Sequence, residues 1–227
     1  MASEKKEKPP KRTEMEGMIA NANKVLGNAL DPKKDGIPRD LFENCAGIAL
    51  ISTVEAGFLV SVSGGTGVIL ARDKSTGKWS PPSACGMGGA GFGFIFGAAA
   101  KDIMVLLMDD KAVQAFTGDN QIKLGGEIGL AVGPIGREVE GAVNASGEGV
   151  TSTLTYTYSK GAFVSAGLEG QVIKSRAKEN EKFYGQPATA QEILTKGAVT
   201  PPEGKGIEDL HKKLDMLRKG ETMEPEE

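Results

Sequence analysis

A glycine-rich segment offers the first pattern that could do chemistry. Residues 85–98 read CGMGGAGFGFIFGA, and Gly86, Gly88 and Gly91 match G-x-G-x-x-G, the pattern that brings a backbone close to a dinucleotide pyrophosphate. That use requires a strand before the first glycine and a helix after the last. Prolines occupy 81–82, where the strand would lie, and the residues after Gly91 place phenylalanine at every second position, which is the period of a strand. The segment therefore predicts a strand and no cofactor site.

The other residue types that support catalysis or metal binding are few. His211 is the single histidine, and its charged surroundings predict a solvated surface side chain. Cys45 and Cys85 each lie among small apolar residues, which indicates buried, reduced thiols. One histidine and two distant cysteines provide too few soft ligands for zinc. We therefore expect no enzyme, no catalytic residue, no cofactor and no metal site.

A group of acidic and amide side chains needs separate consideration. Asp109, Asp110, Asp119 and Asn120 carry oxygen ligands, but they lack the spacing of a calcium-binding loop. Helix capping and turn formation explain these residues more simply. The polar strand at 151–159 is interpreted in the same way, as a half-exposed strand with a solvated face.

Glycine makes up 32 of the 227 residues, about twice its usual share of ~7%. Bare backbone on one face of a strand lets a neighbouring strand come close, and repeated glycines let a sheet bulge and curl. Similar glycine patterns occur at 64–67 and 124–136. The fold class predicted is α+β. It consists of a curled, mainly antiparallel, glycine-rich sheet, sandwich- or barrel-like, flanked by amphipathic amino- and carboxyl-terminal helices.

Hydrophobic periodicity locates the main elements. Apolar residues three and four apart predict a helix from Met15 that stops near Asp31, before a proline. The apolar run at 102–108 predicts a strand buried on both sides, and the turn composition of 73–78 predicts a hairpin with Trp79 as its core anchor. Further predictions are a helical turn at 111–116, strands at 126–132 and 136–143, a hairpin loop at 144–149, a helix capped by Thr189 and Glu192, and a last helix from Ile207.

Charge is distributed unevenly along the chain. A net charge of -3 argues against a general nucleic-acid binder, so no nucleic-acid partner is expected. The sequence has no apolar run near the ~18 residues of a membrane span and no signal-peptide core, which predicts a cytoplasmic protein whose membrane contact is peripheral. The first twelve residues hold two acids and five bases, namely Lys5, Lys6, Lys8, Lys11 and Arg12.

Several ordered blocks resemble one known family. CAGIALISTVEAGF, SGGTGVILAR, WSPPSACGMGGAGFGFIFGA, LGGEIGLAVGPIGRE, TYSKGAF, GLEG and NEKFYG are similar, in this order, to the SYLF domain family. The resemblance implies a lipid-binding, actin-regulatory module that binds phosphoinositide-containing membranes and, in some members, actin filaments. We expect a single-domain member without SH3 or FYVE domains. Its predicted parts are a disordered basic tail at 1–12, a SYLF-like domain at 13–200, and a helix with an acidic tail at 201–227.

The predicted lipid-binding site combines the five bases with the apolar face of the first helix. Each base near an anionic bilayer contributes ~1 kcal/mol to the free energy of membrane binding, so a net charge of three contributes ~3 kcal/mol. Insertion of an apolar side chain adds roughly 1.5–3 kcal/mol, but only if that side chain is not already buried in the protein. Two interpretations remain open, a helix packed permanently on its own domain and a helix that enters the membrane. The apolar residues concerned are Met15, Met18, Ile19 and Leu26.

Three functions are compared at this point. The favoured one is a non-catalytic peripheral membrane module that binds acidic phospholipids, phosphoinositides included, and couples them to actin. The alternative is a protein–protein scaffold or assembly factor without a lipid role, which would use the helix at 204–220 and the sheet edges. A third is a small-ligand carrier or enzyme with a cavity lined by Phe92, Phe94 and Phe96.

Overall fold

Long runs of apolar residues and glycine between residues 47 and 107 form four strands, and their neighbouring pairs are all antiparallel. The structure is a computed structural model, and it describes residues 10–33, 37–58, 60–92, 97–118, 122–124, 130–132, 153–159, 162–165 and 171–223. The predictions for 136–143 and 144–149 lie outside these residues.

The strands form one curled sheet, like half of a barrel. Its order is β5-β9-β3-β2-β1-β4-β7-β6, with β8 also paired to β7. Every pairing is antiparallel except that of β6 with β7, so the predicted mainly antiparallel sheet is confirmed. The nine strands of the described residues are β1 (Gly47–Phe58), β2 (Val60–Ala71), β3 (Ser83–Phe92), β4 (Gly97–Leu107), β5 (Ile122–Lys123), β6 (Leu130–Val132), β7 (Thr153–Ser159), β8 (Ala162–Ser165) and β9 (Val172–Ser175).

Six helices are seen in the same part of the chain. The predicted ends are confirmed, because α1 stops at Leu30 and α5 starts with a capping box between Thr189 and Glu192. Asp109 caps α3 by accepting a hydrogen bond from the amide of Ala112, as its predicted capping role requires. The helices are α1 (Met15–Leu30), α2 (Arg39–Asn44), α3 (Asp110–Ala115), α4 (Ala177–Tyr184), α5 (Ala190–Leu194) and α6 (Ile207–Lys219).

Each face of the sheet carries its own hydrophobic cluster. Helices α1, α2 and α6 cover one face, on which Leu50, Leu70 and Met104 are buried. Helices α3 and α5 cover the other, on which Ile51 and Val105 are buried. Because neighbouring side chains of a strand point to opposite faces, strands buried on both sides need continuous apolar runs. The predicted buried strand at 102–108 is therefore confirmed as β4.

The close backbone approach predicted from the glycines is found in β2. An added Cβ at Gly67 would overlap the carbonyl oxygen of Leu50, and one at Gly65 would lie 2.5 Å from the carbonyl oxygen of Ser52. Both neighbours belong to β1, the partner of β2 in the sheet. At these positions the absence of a side chain is a steric requirement of the strand pairing.

The same explanation does not extend to every glycine. An added Cβ at Gly86 or Gly88 would make only ordinary contacts, at 3.5 and 3.7 Å, and one at Gly64 would meet nothing within 4 Å. The G-x-G-x-x-G segment itself lies in strand β3, as predicted, and the next element among the described residues is strand β4. Among the glycines of β2 and β3 whose surroundings are described, crowding by a neighbouring backbone is thus confined to Gly65 and Gly67.

One expectation about the sheet was wrong. Strand β7 was expected to be half exposed, but Thr153, Thr155 and Thr157 are buried, as are Leu154 and Tyr156. The threonine side lies in register with Ile103, Val105 and Leu107 of β4, so it belongs to the second covered face of the sheet. Helices α2 and α4 and strand β9 were not predicted, because they are short and carry little apolar periodicity.

Gly67→Ala is expected to lower the free energy of unfolding by ~1–3 kcal/mol, because the new methyl group forces the β1 backbone away. Gly64→Ala, in the same strand, is the matched control and should change stability by less than about 0.5 kcal/mol. Urea unfolding followed by circular dichroism measures both. Equal stability of the two variants would show that β1 yields freely at Gly67.

Candidate functional site

The predicted lipid-binding residues that the structure describes fall into two groups, exposed bases and buried apolar residues. Lys11 and Arg12 are exposed, whereas Lys5, Lys6 and Lys8 lie outside the described residues. The four apolar residues of the prediction are all buried in α1, each with 2% or less of its surface exposed. The prediction about this site therefore depends on what holds α1 in place.

Helix α1 is covered on nearly every side. Its apolar residues pack with side chains of β1, β2 and α6 in one cluster, and α6 contributes Leu210 and Leu214 to it. In α1, only Ala20 and Lys24 are fully exposed. In the docked position the helix therefore presents no apolar face to a bilayer, and insertion of its apolar residues requires that it leave the cluster.

Polar contacts fix α1 on the sheet at its middle. The side-chain amide of Asn21 donates to the hydroxyl of Ser52 in β1, and this hydroxyl donates to Asp102 in β4. Asn23 donates to the carbonyl oxygen of Gly206, directly before α6, at 2.8 Å. These hydrogen bonds give the docked helix a defined register, which apolar packing alone specifies less sharply.

A second set of contacts, here called the amino-terminal clamp, joins residues 13–15 to α4 and to Arg176 directly before it. The guanidinium of Arg176 donates to the carbonyl oxygen of Thr13 at 2.7 Å, and the amide of Met15 donates to Glu179 at 2.8 Å. Lys182 forms an ion pair with Glu14 at 3.1 Å. The carboxylate of Glu179 thus caps the first turn of α1, where the helix dipole favours negative charge.

The ion pair of the clamp lies at the protein surface. The hydrogen bond and charge of Lys182 lower the pKa of Glu14, and Glu14 in turn raises the pKa of Lys182. Because the folded state favours the ionised carboxylate, this contribution is present at neutral pH and is lost as the pH falls through the pKa of Glu14. Exposed pairs of this kind contribute little to stability and are screened by salt.

Helix α4 is itself held by a buried amide. Asn180 has no exposed surface, accepts a hydrogen bond from the amide of Ala84 at 2.7 Å, and donates to the hydroxyl of Ser83 at 3.2 Å. Both partners belong to β3, so the clamp is anchored on the glycine-rich strand. Sequence reasoning missed these residues. The available signal was a glycine, Gly185, in the left-handed conformation directly after the helix, with Lys182 in its last turn.

The residues considered for catalysis are buried or partly buried within the fold. Cys45 and Cys85 are buried and unpaired, and burial raises their pKa values to about 11 and about 12, so both thiols are protonated at neutral pH. His211 was expected to be solvated, but its Nε2 lies 2.9 Å from the carbonyl oxygen of Ser80 and the ring is partly buried. That prediction was wrong because α6 packs beside the residues that precede β3. Trp79 is buried, as predicted.

The remaining candidates are described only in part. Within the described residues, no three side chains of the metal-binding types come together. No helix among them is both long enough and apolar enough to cross a membrane. Asp119, Asn120, Phe94 and Phe96 lie outside the description, as does the side chain of Phe92, so the predicted phenylalanine-lined cavity is not part of it.

A region on the α1 side of the sheet is exposed beyond the helix. Val54 and Val62 keep 50% and 64% of their surfaces exposed, and the pairing of β1 with β2 brings them close together. Ala56, Ala90 and Ala100 are exposed nearby on the same face. These five residues are here called the exposed sheet face. They lie on the same side of the sheet as the buried cluster, beyond Ser52 in β1 and Asp102 in β4.

Comparison with known proteins gives a consistent result. A family model described as "Ysc84: Las17-binding protein actin regulator" matches residues 88–217. The chain is 41% identical over 179 residues to SH3 domain-containing YSC84-like protein 1 of Bos taurus, covering 79% of this chain and 51% of that protein. It is 40% identical over 186 residues to LAS seventeen-binding protein 3 of Saccharomyces cerevisiae, covering 80% of this chain and 40% of that protein. It spans about half or less of these relatives.

Proposed function

This chain belongs to the Ysc84 family, the family of SYLF domains, and from this premise we propose that it is a non-catalytic module of actin regulation that binds acidic phospholipid membranes through its amino-terminal segment. The observation that carries the membrane part of the proposal is the position of α1. An apolar helix directly follows a segment with five bases and is held at its amino end by a salt-sensitive clamp.

Binding is proposed to proceed in two steps. The basic segment first adsorbs to an anionic surface, where a net charge of three supplies ~3 kcal/mol. The amino end of α1 then leaves the clamp, and Met15, Met18 and Ile19 enter the bilayer before Leu26. Transfer of these side chains from one apolar environment to another is nearly balanced, and undocking also uncovers the sheet. The electrostatic attraction is therefore the term on which membrane binding depends.

The first prediction concerns the basic segment. Replacement of its five bases by glutamine is expected to weaken binding to phosphatidylcholine vesicles that contain a phosphoinositide by ~100-fold or more, because the attraction of the bases is lost. The full chain and the variant are compared by vesicle co-sedimentation, with pure phosphatidylcholine vesicles as the lipid control.

A matched variant tests whether net charge alone explains the loss. It replaces five exposed lysines elsewhere by glutamine and should keep most of the affinity for vesicles, although its net charge equals that of the first variant. Equal losses in both variants would remove the amino-terminal segment as the site. The control positions are Lys33, Lys111, Lys123, Lys178 and Lys196.

The second prediction concerns undocking of α1. Glu179→Gln with Lys182→Gln weakens the clamp without a change of net charge, so vesicle affinity should rise severalfold and amide hydrogen exchange at 15–19 should become faster on vesicles. Lys178→Gln with Glu181→Gln, at exposed positions of the same helix, is the control. Faster exchange in the clamp variant with unchanged affinity would contradict insertion and leave adsorption by the basic segment alone.

The actin part of the proposal comes from the family description and from the names of the relatives. One relative is named as a binder of LAS seventeen, but this chain covers 40% of that protein, so the binding could reside in the remainder. A second candidate function, a protein–protein scaffold without a lipid role, is favoured by the exposed sheet face. The apolar side of α6, considered earlier for this role, is buried against α1 and α2.

A third prediction separates these functions. Here the exposed sheet face is taken as the proposed contact with actin filaments. Val54→Ser with Val62→Ser is therefore expected to reduce co-sedimentation with actin filaments and to leave vesicle binding unchanged. The five-base glutamine variant should show the opposite pattern, so that each variant serves as the control for the other. Filament binding without any vesicle binding would favour the scaffold, and unchanged filament binding in the valine variant would exclude this face as the actin contact.

A further inference from the structure

A cavity of about 760 Å³ lies away from α1, between the hairpin turn that follows β2, helix α3 and helix α5. It is open to solvent. The turn supplies one wall with Arg72, Lys74, Lys78 and Trp79, and the helices supply the other, including the apolar side chains of residues such as Val113. No residue of α1 lines the cavity, so it is separate from the proposed membrane site.

Two residues that line this cavity each carry a buried hydrogen-bond donor without a partner among the described residues. Among the described residues, five buried side-chain polar atoms lack a partner, and two of them are Nε of Arg72 and Nε1 of Trp79. These two residues face each other across a β-bridge and both line the cavity. Buried N–H groups are nearly always satisfied, so this pair of donors points to acceptor atoms that the described residues do not supply.

The charges around the cavity indicate the kind of acceptor. Lys74 and Lys78 add two ammonium groups to the guanidinium of Arg72. The carboxylate of Asp73 is already used inside the turn, where it accepts hydrogen bonds from the amides of Ser75 and Thr76, and these bonds lower its pKa. Lys74 also pairs with Asp110 at 3.0 Å, but both side chains are largely exposed, and an incoming anion can share that lysine.

We propose that this cavity binds a phosphorylated small molecule. A phosphate group offers several acceptor oxygens and the negative charge that matches a guanidinium and two ammonium groups. The volume of the cavity far exceeds that of a bare phosphate. The wall formed by α3 and α5 suits the uncharged part of a molecule that carries the phosphate group. The same phosphate chemistry occurs in soluble phosphate esters and in phosphoinositide headgroups, so the experiment distinguishes these two sources.

The only tryptophan of the chain lines the cavity, so its fluorescence reports on this site alone. The full chain is titrated with inorganic phosphate, glycerol 3-phosphate and inositol 1,4,5-trisphosphate, with sodium chloride at matched ionic strength as the control. We expect a saturable change in Trp79 emission and a higher unfolding midpoint with the phosphate esters, and neither with chloride. Unchanged emission together with an unchanged midpoint overturns the proposal.

Variants test the contacts. Lys74→Gln with Lys78→Gln should weaken ester binding by about tenfold or more, because two charge-assisted contacts are lost. Lys111→Gln with Lys123→Gln changes the net charge equally at exposed positions that do not line the cavity, and it should bind normally. Equal affinity of the two double variants overturns the assignment.

Vesicle binding separates the sources. If the Lys74/Lys78 variant loses binding to phosphoinositide vesicles, the ligand is a lipid headgroup. If it loses only the soluble esters, the ligand is soluble. The variant without the five amino-terminal bases should keep its Trp79 response in either case, so failure of the proposed membrane function and failure of this inference are distinguishable.

Discussion

The docking of α1 on the sheet is the interaction on which the rest of the structure depends. The helix closes the first hydrophobic cluster, and it joins the paired strands β1 and β2 to α6, which is far from them in the chain. The side chains that make this contact are the same ones that a bilayer would receive. Because burial of an apolar side chain has a similar value in a protein core and in hydrocarbon, the proposed insertion would restore the burial that α1 loses on undocking, whereas the uncovered sheet would remain a cost.

Although each polar contact of α1 is weak, these contacts together help to keep the helix docked. The clamp and the Asn21–Ser52–Asp102 hydrogen bonds add a modest, directional preference for the docked helix. In the proposed membrane binding, the basic segment would act in the opposite direction near an anionic surface. That attraction would respond to salt and to lipid composition.

Sequence patterns predicted the elements that are specified locally. The end of α1 follows from a proline, the start of α5 follows from a capping box, and β4 follows from a continuous apolar run. The burial of Cys45 and Cys85 followed in the same way from their apolar neighbours. In these cases a few neighbouring residues contain the whole physical reason, so no knowledge of the tertiary structure was needed.

The errors concern residues whose environment is decided by distant parts of the chain. Threonine suits a solvated strand face and a buried one equally, and only its pairing with β4 shows that the β7 threonines are buried. Helix α4 lacks an apolar stripe because its buried residue is Asn180, whose partners are polar groups of β3. His211 meets a carbonyl oxygen 131 positions away in the sequence. No local pattern contains these contacts.

The uses of the polar side chains also bear on the kind of function that the fold supports. Asn180 and Ser52 use their hydrogen-bonding groups to join elements, Asp109 caps α3, and the thiols are held protonated by burial. Arg72 and Trp79 differ, because each lines an open cavity and keeps a buried donor without an acceptor in the described part of the chain. A group that is satisfied within the fold contributes to stability, whereas an orphan donor carries a desolvation cost that a ligand can relieve. The anion site proposed above would supply acceptors for this pair of donors.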